Sequence, residues 1–466
     1  MLRHFFTNSF GILISRVTGL VRDFLIARFL GAGVYSDIFF VAFKLPNLFR
    51  RLFGEGAFSQ AFLPNFVKQN QKGLFLVEVG VKLVAAMLLL SLVVMLFAPL
   101  FTRVLAAGFS QEVIALAAPL VRINFWYLLL IFCVVLLSCV LQYKNHFFTT
   151  AFSSTLLNLA MIVSLILARN LPASQVVFYL SWGVVAGGAL QLVSHLFALK
   201  KLGLFRLLTL GTAKFCKGAR AKTRGFWQNF GAGVLGSSAN QLSDFISTFI
   251  ASFLAAGGIS YLYYANRIFQ LPLALFAMAL SIAIFPQISR QIKNANTAVA
   301  NALLARAFYL LFALLLFATI GGCVFAKEII WLLFERGEFG RRDTINVALV
   351  LQGYLAGLLP FGLYKLFSLW LYAHFKQLSA AKISLASLVI NTLLSLALFK
   401  PYGAFGLALA SSISGAFLFV SVVFVYGWRE FLRIFVCVKS FATLLAAAVF
   451  FFVCVFIHQK TWAWIN

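Results

Sequence analysis

Charged residues are scarce in this chain, and acidic ones scarcest. Only 11% of its 466 residues are Asp, Glu, Lys or Arg, where a water-soluble domain carries about a quarter. A surface so poor in charge has to meet lipid, which excludes a soluble globular domain. Asp and Glu together number 11 against 38 Lys and Arg, and they form no aspartate-rich metal cluster. HExxH, a Gly-rich loop ending in GK[ST], and GxSxG are all missing, so no enzyme constellation is present. The cysteines lack metal-ligand spacing. Cys133, Cys139, Cys323, Cys437 and Cys454 lie in or beside apolar runs and Cys216 in a basic loop, so they read as small buried apolar residues rather than disulfides. His4, His146, His195, His374 and His458 are scattered and read as interface residues. The sequence therefore assigns no catalytic residue, no metal and no cofactor.

What is abundant is apolar surface, at 63% of residues and a mean hydropathy of +0.99. Windows of about twenty apolar residues mark membrane helices. They predict spans at 5–30, 35–67, 79–102, 117–142, 148–168, 174–199, 229–255, 260–289, 304–326, 345–373, 380–399, 404–427 and 435–457, about thirteen in all. The first run opens like a signal peptide, but Arg16, Arg22 and Asp23 interrupt it and no small-residue cleavage site follows. It is read as an uncleaved first helix. The formal charge of +27 invites nucleic acid as a partner. The basic residues, however, lie mostly in short loops between apolar runs, which is the positive-inside pattern. The most basic loop holds Lys200, Lys201, Arg206, Lys214, Lys217, Arg220, Lys222 and Arg224, whereas 327–343 balances its charges. That contrast puts the N-terminus in the cytoplasm.

The chain repeats itself. Ile26-Ala27-Arg28-Phe29-Leu30-Gly31-Ala32-Gly33 matches Ile250-Ala251-Ser252-Phe253-Leu254-Ala255-Ala256-Gly257, half a chain away. Further on, Ala42-Phe43-Lys44 lines up with Ala265-Asn266-Arg267, and Phe62-Leu63-Pro64 with Ile284-Phe285-Pro286. An even number of helices between the copies gives parallel repeats about an axis along the membrane normal. The expectation is an all-α integral membrane protein with two pseudo-symmetric lobes of about six helices each around a central cationic cavity. Its parts are an N-lobe at 1–199, a basic cytoplasmic linker at 200–228, a C-lobe at 229–428 and an extra C-terminal helix within 429–466.

Charge inside the first two spans is the most informative feature. The first contains Arg16, Arg22, Asp23 and Arg28, and the second Asp37, Lys44, Arg50, Arg51 and Glu55. Each charge at the bilayer centre costs about 2.5–3.5 kcal/mol or more, so several in one hairpin must face water or one another. Asp37, Lys44 and Arg51 recur at intervals of seven, while Lys44, Asn47, Arg51 and Glu55 step by three and four, which makes one polar stripe. Pro46 within it permits a bend, with Gly54 and Gly56 loosening the turn beyond. Gly11, Ser15 and Gly19 form a small-residue face suited to close packing or bending, and Gly19 and Pro46 are the expected hinges. Arginines converging on a cavity suit a phosphate-bearing ligand, because the guanidinium fork pairs with phosphate oxygens and keeps its proton. Asp23, Asp37 and Glu55 are expected to hold those arginines, or to pair with them when the cavity is empty. Asp244 and Lys365 are isolated buried charges that fit either ion coupling or a polar pair.

These residues resemble the MurJ (MviN) family of lipid II flippases. The likeness lies in Ser15-Arg16 through Val21-Arg22-Asp23, Ala27 to Gly33, and Asp37-Ile38-Phe39-Phe40-Val41-Ala42-Phe43-Lys44-Leu45-Pro46-Asn47-Leu48-Phe49-Arg50-Arg51. It runs on from Glu55 to Pro64, and returns at Asn240-Gln241, Tyr263-Tyr264-Ala265-Asn266-Arg267, Phe334-Glu335-Arg336-Gly337 and Arg342-Asp343-Thr344. The resemblance implies the fold of the multidrug/oligosaccharidyl-lipid/polysaccharide exporter superfamily and alternating access in a bacterial cytoplasmic membrane. It implies lipid II as substrate, with membrane lipids and cell-wall synthases as partners. It also implies that the family's cavity arginines are Arg16, Arg22, Arg50 and Arg267, its acidic positions Asp37 and Glu55, and that Ser260 lines the same cavity. Three departures stand out. Asn266 replaces a frequent Asp, thirteen spans replace the usual fourteen, and the eleventh span offers Asn391 without an acid, so neither sodium nor proton coupling is assigned. The alternatives are an exporter of another polyprenyl-linked glycan, a drug/cation antiporter of the same superfamily, and a membrane glycosyltransferase using Glu335, Glu338 and Asp343.

Overall fold

A computed structural model describes residues 2–51 and 57–465, with 2–10, 12, 235–240, 243–244 and 461–465 in backbone only. Among the described residues every regular element is a helix. They divide into two compact units, Met1–Phe253 and Leu254–Asn466.

The first unit contains α1 (Leu2–Leu30), α2 (Val34–Phe49), α3 (Ala57–Lys68), α4 (Lys72–Leu96) and α5 (Ala98–Leu105), then α6 (Gln111–Tyr143), α7 (Phe148–Leu167), α8 (Ala173–Lys201), α9 (Phe205–Cys216) and α10 (Arg224–Ala251). Its hub is α6, which touches α2, α4, α5 and α8 and is apolar around its whole circumference, as a buried helix must be. Phe125, Tyr127, Leu128 and Phe132 are fully buried there. By contrast α4 turns Leu89 and Leu96 outward at 65% and 73% exposure, a face that only lipid can cover.

The second unit contains α11 (Gly258–Pro272), a π-helical segment (Leu273–Met278), α12 (Ala279–Lys293), α13 (Thr297–Val324) and α14 (Ala326–Phe334). It continues with α15 (Arg341–Leu355), α16 (Leu358–Ala373), α17 (Gln377–Tyr426), α18 (Trp428–Phe435) and α19 (Val438–Ile465). The aromatic ring cluster of Phe308, Phe367, Phe419 and Phe431 seats α18. The extra helix α19 packs on α13 through Phe317 and Phe450, whose centroids lie 5.1 Å apart, and its His458 meets Glu328 of α14.

Among the described residues nine helical stretches are long and apolar enough to cross a membrane, so the expected thirteen do not map one to one. The stretch Gln377–Tyr426 holds the two spans expected at 380–399 and 404–427, with a kink at Gly403 (φ 57, ψ −137). The spans expected at 5–30, 35–67 and 229–255 are not among the nine, and in α1 the interrupting charges are Arg16, Arg22, Asp23 and Arg28. The span 35–67 is not one helix. It divides into α2 and α3, with Arg50 and Arg51 in a π-helical turn after α2. Pro46 does not end α2, which continues to Phe49. Gly54, Glu55 and Gly56 lie outside the described residues.

The segment 200–228 is largely helical rather than an open loop. In it α9 crosses α4 with backbones almost touching: a Cβ on Gly211 would sit 2.2 Å from the Gly73 carbonyl oxygen, and one on Gly73 2.4 Å from the Leu207 oxygen. The strand of chain after α9 is held by Glu78, which is 2% exposed. Glu78 accepts the Ala221 N–H and pairs with Lys82 at 2.6 Å. Lys82 in turn reaches Thr223 Oγ1 at 3.4 Å, and Gln69 Nε2 donates to the Lys222 carbonyl at 3.2 Å. The repeat assigns 229–255 to the second lobe. Here α10 packs against α3 and α5, and the first compact unit runs to Phe253.

Candidate transport site

On α1 the residues Gly11, Ser15, Thr18, Gly19 and Arg22 fall at helical intervals on one face, and that face packs against α7. A Cβ on Gly11 would lie 2.7 Å from Ala151 Cβ, and one on Gly19 3.4 Å from Asn158 Nδ2, so small residues let the two helices close. At the end of the stripe Arg22 is 6% exposed. Its Nε and Nη2 donate to Asp23 Oδ1 at 3.0 and 2.7 Å, and its Nη1 to Asn158 Oδ1 at 2.9 Å. Arg16 projects from another face of α1 and is exposed, as is Arg28, which lies 5.9 Å from the centroid of the Phe29 ring.

The second helix begins at Gly33, whose N–H donates to Ser36 Oγ at 2.9 Å. Asp37 follows in the first turn, 4% exposed, where the helix macrodipole favours a carboxylate. Phe43 and Phe49 lock α2 onto α6 against Tyr127 and Phe125, at 6.3 and 6.0 Å between centroids. On the polar stripe Lys44 donates to Thr248 Oγ1 of α10, and Asn47 Nδ2 to the Phe43 carbonyl at 3.1 Å. Arg50 is half-buried and Arg51 exposed. The first unit thus brings Arg22 and Asp23 together and places Asp37, Asn47, Arg50 and Arg51 along α2 and its π turn.

In the second unit α11 starts at Gly257, which takes the left-handed conformation (φ 92) that glycine adopts without strain. Ser260 is fully buried, like Ser36 at the corresponding place in the first repeat. Arg267 Nη2 donates to Tyr263 OH at 2.8 Å, and the guanidinium carbon lies 5.0 Å from the centre of that ring. Asn266 Oδ1 accepts from Gln270 Nε2 at 2.6 Å. Tyr264 packs on Phe334 and Phe339, fixing α11 against α14 and the turn after it.

Two carboxylates of the segment 327–343 are held by neighbouring groups. Asp343 Oδ2 accepts the Gly340 N–H at 3.2 Å and so caps α15, while Oδ1 accepts from Tyr261 OH at 3.2 Å. Glu335 accepts from Thr344 Oγ1 and lies 3.7 Å from Arg341. Among the described residues no group of three His, Cys, Asp or Glu is placed to hold a metal. Lys365 is half-buried in α16, and the side chain of Asp244 lies outside the described residues. His195 departs from the interface reading: it is fully buried between α6 and α8. Its Nδ1 sits 2.7 Å from the Gln191 carbonyl, which can only accept. Nε2 therefore accepts from Ser138 Oγ at 2.9 Å. Asn158 and Glu78 were not singled out from sequence. Their signal is a polar or acidic residue inside an otherwise apolar span.

Transporters of the MOP superfamily share this fold. It superposes on a structure titled "Lipid II flippase MurJ, inward closed conformation" with a TM-score of 0.79 over 98% of each chain at 24% identity. It also superposes on an inward-facing multidrug resistance MATE family transporter, with a TM-score of 0.66 over 90% of this chain and 94% of that one at 14% identity. Both likenesses concern the fold. The model of the family "Lipid II flippase MurJ" matches residues 26–465. The "Probable lipid II flippase MurJ" of Helicobacter pylori is 48% identical over 435 residues, 91% of this chain and 94% of the relative. That of Buchnera aphidicola is 33% identical over 89% of this chain and 81% of the relative. The chain belongs to the lipid II flippase MurJ family, and it is a multi-pass membrane transporter rather than an enzyme.

Proposed function

We propose that this chain carries lipid II, the undecaprenyl diphosphate-linked disaccharide peptide, from the inner to the outer leaflet of the bacterial cytoplasmic membrane by alternating access. The supporting observation is the charged hairpin α1–α2. Among its described side chains, Arg16, Arg22, Arg28, Lys44, Arg50 and Arg51 outnumber the acids Asp23 and Asp37, in a chain of a diphosphate-lipid flippase family. A cationic drug would want a carboxylate-lined path, so the fold shared with drug transporters does not carry their substrate over.

In this reading Arg16, Arg22, Arg50 and Arg267 bind the diphosphate, and Arg22 exchanges its Asp23 partner for phosphate oxygens. Asp37, Asn47, Arg51, Glu55 and Ser260 complete the polar path, and Gly19 and Pro46 serve as hinges. The lobes 1–199 and 229–428 rock about the bound head group, the linker 200–228 joins them on the cytoplasmic side with the N-terminus, and the tail stays in lipid. Moving about two negative charges outward across an inside-negative potential gains roughly 4–5 kcal/mol per 100 mV, enough to drive export without a coupling ion. Cell-wall synthases receive the product.

The test is rescue of a flippase-depleted bacterium with lipid II exposure on the outer leaflet as the readout. The wild-type chain restores exposure. Arg16→Ala, Arg22→Ala, Arg50→Ala and Arg267→Ala, at equal membrane abundance, do not. Full rescue by all four variants overturns the arginine path, and a well-expressed wild type that fails overturns the substrate.

A further inference from the structure

Asn158 sits in α7, a helix to which the transport reading gives no role, yet its carboxamide is 5% exposed and all its bonding capacity points at α1. Oδ1 accepts from Arg22 Nη1 at 2.9 Å, while Nδ2 donates to the Ser15 carbonyl at 3.0 Å and to Thr18 Oγ1 at 3.2 Å. A carboxamide is planar, accepting at one end and donating at the other. Two anchors on the nitrogen therefore fix the plane and aim the oxygen. Those anchors lie two turns (Ser15) and one turn (Thr18) before Arg22 on the same helix face, so α1 orients the amide that in turn orients its own arginine. Asp23 Oδ1 receives Nε and Nη2, while Nη1 reaches Asn158 Oδ1 and, at 4.0 Å, Met161 Sδ on the same helix.

We propose that Asn158 is a positioning residue that sets the direction of the Arg22 guanidinium and so its readiness to receive a diphosphate. The proposal rests on the reading of Arg22 as a diphosphate-binding residue. General helix packing would need only a small or apolar group opposite Gly19. Asn158 instead presents an acceptor to a buried cation, which an apolar side chain cannot supply.

The experiment is a double-mutant cycle on the full-length protein reconstituted in vesicles, with lipid II translocation as the readout. Asn158→Leu is expected to slow translocation about tenfold to a hundredfold, the effect of removing a hydrogen bond to a buried charge. Asn158→Asp, which keeps the acceptor but loses both anchoring donors, falls between Leu and wild type. In an Arg22→Ala background Asn158→Leu adds less than about twofold. Equal losses in both backgrounds assign Asn158 to packing and overturn the proposal, as does an Asn158→Leu variant at the wild-type rate. The same cycle on thermal unfolding of the substrate-free variants separates the two readings. Coupling there, with a wild type that moves no lipid II, sinks the transport reading and takes the transport half of the proposal with it. Absence of coupling in both measurements sinks the proposal alone.

Discussion

Asp23 and Arg22 are sequence neighbours whose side chains meet inside the first unit, one carboxylate oxygen receiving two guanidinium nitrogens at 3.0 and 2.7 Å. Consecutive residues on a helix point about 100° apart, so the pair closes because the long arginine bends back over its neighbour. Side-chain exposure is 7% for Arg22 and 2% for Asp23. Asp23→Ala leaves a buried cation short of its countercharge and is expected to cost about 3 kcal/mol or more of folded stability. A lowered unfolding midpoint in detergent, and reduced membrane abundance, check this. Asp23→Glu is expected to recover most of the loss.

Arg267 rests on Tyr263 through both a hydrogen bond and the ring face. Tyr263→Phe removes the hydroxyl and keeps the ring, so it is expected to lower the translocation rate less than about tenfold. Tyr263→Ala removes both contacts and is expected to fall toward Arg267→Ala. Reconstituted transport rates of the three variants give the order.

Glu78 fixes the chain between α9 and α10, and Lys217, Arg220, Lys222 and Arg224 make that stretch a series of trypsin sites. Glu78→Leu leaves the Ala221 N–H and Lys82 without their acceptor, a loss of about 1–3 kcal/mol of local stability. Limited trypsinolysis of membrane vesicles is expected to cut this stretch about tenfold faster or more. An unchanged rate removes Glu78 from that role.

Gly73→Val and Gly211→Val each place a branched side chain where another backbone lies within 2.4 Å. Neither backbone can withdraw without breaking its own helix, so both variants are expected to lose α9 from α4 and to expose the same trypsin sites. Gly203→Ala, with nothing within 4 Å of its Cβ but a φ of +70, is expected to be milder, at about 1 kcal/mol.

The sequence made the membrane helices and the charged hairpin readable because apolar length and misplaced charge are local properties. Arg22 stood out as a charge in an apolar run. Its contact with Asn158 did not, because the partner is 136 residues away and nothing local pairs them. Pro46 pointed to an interruption near the middle of the second span. Hydrogen bonding carries α2 past the proline, however, and the change of helix type comes at Arg50 and Arg51. Glu78 was silent for another reason: its main partner is a backbone N–H, which every residue but proline possesses. Hydropathy alone leads to an expectation of thirteen spans, while among the described residues nine stretches are long and apolar enough to cross a membrane, and the charge-bearing α1 is not one of them.

The π-helical segment Leu273–Met278 between α11 and α12 has a bearing on how this chain tolerates change in length. A π turn closes i→i+5 and so accommodates one residue more than an α turn. Deleting a single residue between 273 and 278 lets the segment relax to α geometry without breaking the rod, an indel that most membrane helices would not survive. The residue lost is the one the π turn absorbs, so the chain beyond it keeps its phase and Ser281 and Ile288 stay on the faces they now bury, whereas the same deletion inside α12 would turn everything beyond it by about 100°. The segment is thus a spacer holding one residue of slack, which can be lost without changing which side of α12 faces inward.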